Sequence, residues 1–190
     1  MKYRVFLGSG LFIAAVLPPA AAQLEAILVW HVLLQLPMLA LAGWLLARSL
    51  PARLIAVIGR YNEYGIPGIL IAIFVSLCWM LPRALDAALE LPMVALAKYV
   101  SIPLLIGAPL ALSWPHMHVI ARGLVWIELL AMLLRLGWLY LVAPTRLCNN
   151  YVLGDQILLG KLLLIISATI VVCWVVRLFA PLPALNHSGT

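Results

Sequence analysis

The stretch AILVWHVLLQLPMLALAGWLLA, residues 26–47, carries no charged side chain. At about 1.5 Å per helical residue it reaches about 30 Å, the thickness of a bilayer's hydrocarbon layer. Four similar stretches follow, at 65–82, 92–113, 119–142 and 157–180. Together they decide the fold class: an all-α, polytopic bundle of transmembrane helices. Composition says the same. The 190 residues are 66% hydrophobic and 9% charged, with a mean hydropathy of +1.16. Soluble domains run near about 45–50% apolar and about 25% charged, so this chain cannot surround one core with a polar skin.

Outward from the first stretch, residues 5–22 follow Lys2 and Arg4 and end in Pro18-Pro19-Ala20-Ala21-Ala22-Gln23. That pattern reads equally as a cleavable secretory signal and as a first transmembrane helix. The expected organisation is therefore a leader or first helix at 1–22 and a helix bundle at 23–190, five or six spans in all. No repeat or low-complexity linker divides it.

Charge sets the expected orientation. The segment after the first clear span carries Arg48, Arg53 and Arg60 against Glu63, whereas the next loop mixes Arg83 with Asp86 and Glu90. The arginine-rich side is expected in the cytoplasm. The 83–90 and 144–156 loops then face outward, while the 114–118 turn and the end after Arg177 face inward. Residues 50–59, apolar and bracketed by arginines, suit the inner interface. The net charge of +6 comes from basic residues scattered singly, so it signals topology rather than nucleic-acid binding.

Several residues interrupt the apolar runs. Pro37, Pro103 and Pro109 each remove a helical hydrogen bond, so kinks are expected there. Trp30, Trp79, Trp114 and Trp174 lie near span ends and are expected as interfacial anchors. Gly107, Gly123, Gly137 and Gly160 would let helices approach closely. Cys78, Cys148 and Cys173 are too scattered for a disulfide framework and read as small packing residues.

Polar groups inside spans are costly and need a partner or a purpose. Counted from the helix ends, Glu128 lies near the midplane, with Lys98, Arg135 and His31 in the outer half. Glu128 and Arg135 stand two turns apart on one face, and Lys98 on the preceding helix can approach either. The expectation is a buried Lys98–Glu128 or Glu128–Arg135 pair, serving helix packing or lining a proton or ion path. His31, Gln35 and Met38 share a face of their helix, and imidazole with thioether suits copper. Two ligands on one helix do not close a site. His116-Met117-His118 is the densest cluster of potential ligands, expected in an inner turn. A haem joining His31 to either of those histidines would have to bridge opposite sides. His187 lies in a polar tail. No nucleophile elbow, phosphate loop, dinucleotide fingerprint or HExxH sequence occurs, so enzyme activity is not expected.

The stretch Trp79-Met80-Leu81-Pro82-Arg83-Ala84-Leu85-Asp86-Ala87-Ala88-Leu89 resembles the W-x-L-P-x-x-Y-D-x-A-L pattern of the CtaG-like membrane proteins of cytochrome c oxidase assembly. Trp114-Pro115, and Asp155-Gln156 followed by Gly160, resemble further pieces of that family in the same order, and His31 to Gln35 resembles its early H-x-x-x-H. Leu85 replaces the aromatic before the aspartate, Gln35 replaces the second histidine, and Ala95 and Tyr99 stand where another histidine pair would be. The resemblance implies a polytopic protein of the bacterial inner membrane, acting without catalysis in biogenesis of an oxidase or related copper-containing membrane complex. Copper is the implied cofactor, and His31, Asp86, Asp155 and Gln156 are the implied family positions. The expected partners are membrane lipid and that membrane complex. Two other readings are a permanent structural subunit and a small transporter lined by Lys98, Glu128 and Arg135.

Overall fold

The computed structural model of the protein describes residues 2–179, so His187 and the rest of the tail lie outside the described residues. Among them the regular structure is entirely helical. The helices are α1 (Lys2–Val16), α2 (Pro18–Glu25), α3 (Leu28–Ala47), α4 (Ala52–Tyr61), α5 (Ile66–Trp79), α6 (Pro82–Glu90), α7 (Pro92–His116), α8 (Val119–Val142) and α9 (Leu153–Phe179). Three helices, α3, α7 and most of α9, are long and apolar enough to cross a membrane. The number rises to five if two bent pairs each count as one span. Those pairs are α1 with α2, bent by 65°, and α4 with Glu63–Trp79, bent by 74°. The chain is thus a membrane protein by helix length and composition.

Prolines punctuate the chain in two ways. Pro18, Pro82 and Pro92 open α2, α6 and α7, where the missing N–H would have had no partner anyway. Pro37 and Pro109 sit inside α3 and α7, and the turn before each widens into a π-helical segment, His31–Gln35 and Ile102–Gly107. Each proline leaves the carbonyl four residues earlier, on Leu33 or Leu105, without its α-helical donor and crowds it with its ring. A wider turn is the local response. The 74° bend has another cause. Tyr64 and Gly65 adopt positive φ, at 53° and 72°, a conformation glycine tolerates without a steric penalty.

Packing is closest where glycines meet backbone. A Cβ on Gly43 would fall on the Pro103 carbonyl, and one on Gly107 on that of Ala40, so α3 and α7 cross backbone to backbone. Gly137 and Gly160 do the same for α8 and α9, each carbonyl within 3.1 Å of where the other's Cβ would be. Gly123 meets nothing within 4 Å, so among the expected close-approach glycines it alone faces open space. Gly8 in α1 fits against Leu45 and Leu46 of α3.

These contacts order the ends. The segment after α3 and the turn after α7 meet at one end, where Asn62 Nδ2 donates to Ser113 Oγ at 2.9 Å and Asn62 Oδ1 accepts from the Gly68 amide at 2.9 Å. The loops flanking α6 and the loop between α8 and α9 meet at the other. Trp79, expected as an interfacial anchor, is instead buried and donates to Ser101 Oγ of α7 at 2.8 Å. Its indole N–H found a partner inside the bundle, which removes the advantage of the interface.

Candidate functional site

The most concentrated chemistry lies at the end opposite the arginine-rich segment, where four pieces of chain converge. Glu25 closes α2, and His31 and Gln35 bound the π-turn of α3. Lys98 and Tyr99 come from α7, and Tyr151 from the loop before α9. His31, Gln35 and Lys98 are fully buried.

The hydrogen bonds form a closed set. Lys98 Nζ donates to Glu25 Oε1 at 2.7 Å, His31 Nε2 at 3.1 Å and Gln35 Oε1 at 3.2 Å, the full complement of an ammonium. An ammonium has no lone pair, so His31 Nε2 must accept and its proton resides on Nδ1. His31 Nδ1 then donates to Tyr151 Oη at 2.6 Å, and Tyr151 Oη donates to the Glu25 backbone carbonyl at 2.9 Å. Gln35 Nε2 donates to Glu25 Oε1 at 2.9 Å and to the Ala15 carbonyl of α1 at 3.0 Å. Tyr99 Oη adds a third bond to Glu25 Oε1 at 2.6 Å. Burial, reinforced by the nearby Glu25 charge, raises the Tyr151 hydroxyl above its ordinary value, so it serves as a proton-bearing donor.

The family-like stretch supplies a second fastening point. Asp86 lies within α6 and accepts from the Asn149 amide at 2.8 Å, the Asn150 amide at 3.1 Å and Asn150 Nδ2 at 2.9 Å. It clamps the loop between α8 and α9 rather than capping its own helix. Cys148, beside it, is buried with Sγ 3.6 Å from the Pro82 carbonyl. Burial and then the Asp86 charge push its thiol up to about 11. Gln156 closes the same loop, accepting from the Leu147 amide at 2.9 Å and donating to the Tyr140 carbonyl at 3.3 Å. Asp155 occupies the first turn of α9, where a carboxylate complements the helix dipole.

The expected pairing of Lys98 with Glu128 does not form, because α7 turns Lys98 toward Glu25. Glu128 pairs with Arg135 at 2.8 Å, as their spacing predicted, but the pair is exposed on α8, with side chains 33% and 64% accessible. The expected copper ligands are not brought together. Met38 packs against the hydrophobic cluster. His116 and His118 lie at the far end, where His116 Nδ1 bonds the Leu112 carbonyl and His118 caps α8. Among the described residues no group of three or more His, Cys, Asp or Glu could hold a metal ion. His31 is bonded through both ring nitrogens, one of them facing an ammonium that would repel a cation. As they stand, these residues do not fit copper.

Glu25 and Tyr151 escaped the sequence reading. Neither stands out in the sequence, where Glu25 lies just beyond the 1–22 segment and Tyr151 between two apolar stretches. Tyr99 was noticed only as a missing histidine. A lone carboxylate beside an apolar run was the available signal for Glu25, given that Lys98 needed a partner. An apolar cavity of about 330 Å³ also opens between α3, α5, α7 and α8, walled by residues such as Leu36, Ile69, Ile102 and Trp126, with Glu128 as its one charged wall residue. No protein-family model, curated protein or solved structure matches the chain.

Proposed function

We propose that this chain is a non-enzymatic accessory protein of the bacterial inner membrane, with five or six spans. It assists assembly of a cytochrome c oxidase or a related copper-containing membrane complex by binding to it. The observation that carries this reading is the closure of the buried cluster. All three donors of Lys98 and both donors of Gln35 are spent on neighbours, so these buried polar groups tie α1, α2, α3 and α7 together, as a packing role for them requires. The resemblance of residues 79–89 to the CtaG-like proteins supplies the setting. In this reading Asp86 and Gln156 shape the outer loops that meet the partner, and no copper step passes through His31.

The test is mild purification of the tagged protein from its native membrane. Copper and haem are measured per chain, beside a His31→Ala variant, and copurifying subunits are quantified. The expected result is metal-free protein carrying subunits of an immature complex in less than fixed ratio. Copper that disappears with His31 would restore metal delivery. A fixed ratio with a mature complex would make the chain a permanent subunit.

A further inference from the structure

We infer that the cavity between α8 and the rest of the bundle is a binding site for one phospholipid of the surrounding bilayer, with acyl chain in the cavity and phosphate at Arg122. The inference needs only a chain inserted in a bilayer and stands apart from the accessory role.

Helix α8 packs along α9 and stands off from α3, α5 and α7. The space it leaves is the apolar cavity of about 330 Å³. Along α7 its wall runs from Ile102 to Trp114, about 18 Å at about 1.5 Å per residue. A helix of that length, about 10 Å across with its side chains, fills about 1,400 Å³. That is far more than the space present, so neither a partner's span nor a second copy of this chain fits. A hydrocarbon chain is slender enough, and it is the material a bilayer offers at that depth.

The polar groups of the wall ask nothing of an occupant. Ser76 Oγ donates to the Ala72 carbonyl at 2.7 Å, Trp79 Nε1 donates to Ser101 Oγ at 2.8 Å, and Glu128 accepts from Arg135 at 2.8 Å. Water needs about two to four polar partners and gains little there. An empty space would forfeit the dispersion contacts of its lining.

The head is placed by α8. Val125, Trp126, Leu129 and Met132 form its cavity-facing stripe, and Arg122 continues that stripe by one turn toward the arginine-rich end. Its guanidinium lies over the Trp114 ring, 5.7 Å from the centroid, and Trp114 is the last α7 residue in the cavity wall. No carboxylate pairs with Arg122 among the described residues. A long apolar slot that ends at a cation has the shape and polarity of an anionic head on a hydrocarbon chain, and guanidinium suits the oxygens of phosphate.

Native mass spectrometry of the protein, purified in mild detergent from its own membrane, tests this, with phosphorus measured per chain after extraction. The expected result is one phospholipid per chain. Occupancy should fall at least fivefold in Leu129→Trp, which fills the cavity from α8, and in Arg122→Gln, which removes the cation. Leu124→Trp, with similar bulk at an exposed position of α8 outside the cavity wall, should retain the lipid. If thermal unfolding shows Leu129→Trp to be unfolded, Arg122→Gln against Leu124→Trp decides. A parent protein without bound phospholipid overturns the inference, and so does lipid retained in folded Leu129→Trp or in Arg122→Gln. Equal loss in Leu124→Trp marks lipid bound around the helix at large and overturns it as well. A bound apolar molecule that carries no phosphate does the same. None of these outcomes alters the copurification on which the accessory role is judged.

Discussion

Lys98 is the side chain on which the closed cluster depends, because it alone bonds Glu25, His31 and Gln35 together. Lys98→Met would leave a carboxylate with reduced compensation and two acceptors without a donor. The expected loss is about 3–5 kcal/mol, the usual cost of breaking a buried pair from one side. The double change Glu25→Gln/Lys98→Met should recover most of it, since removing both charges together is nearly neutral. Thermal unfolding in detergent of the two single variants and the double variant checks this. A double variant no more stable than Lys98→Met would mean that the pair is not coupled. Asp86 works at the same scale. Asp86→Ala removes the acceptor for three donors of the 149–150 segment, and the loop over Cys148 should open. With Cys78 and Cys173 replaced by serine, a water-soluble maleimide at pH 8 should label Cys148 slowly in the parent and at least tenfold faster in Asp86→Ala. The raised thiol value of about 11 keeps the parent residue protonated at that pH.

Among elements, the crossing of α3 and α7 carries the strictest packing demand. Gly107→Val inserts atoms onto the Ala40 carbonyl, and only separation of the helices can make room. Overpacking of this kind costs about 1–3 kcal/mol, and the cluster above the crossing would lose its alignment. Gly123→Val, on a surface that meets nothing, should leave the melting temperature nearly unchanged. A similar fall in both variants would refute backbone contact as the cause. The two π-turns were legible only as kinks in the sequence. Proline announces the missing bond, but which way the preceding turn relaxes depends on what packs against it. Here the His31–Gln35 turn places two polar side chains at Lys98. For α8 and α9 the sequence showed Gly137 and Gly160 only as small residues, and the structure supplied the contact between them.

For the whole molecule, the arrangement of ends gives an orientation that can be checked. The segment from Arg48 to Asn62 shares one end with the turn after α7, and Asp86 shares the other with Asn149 and Asn150. Reporter enzymes that act only outside the cytoplasm, fused after Tyr61 or after Asn149, should be silent at the first site and active at the second. The opposite pattern would invert the side assigned to the cluster. What the sequence by itself determined is the class of molecule: apolar length and scarce charge require helices in a bilayer, and the arginines mark one side. It also placed Arg135 two turns from Glu128, a contact within one helix that periodicity alone predicts. The partner of Lys98 was decided only in three dimensions. Glu25 lies 73 residues away in the chain, and a buried ammonium takes whichever acceptor the helix crossings bring to it. Local spacing cannot encode that choice, because it is set by the close approach of α3 and α7 at Gly43 and Gly107.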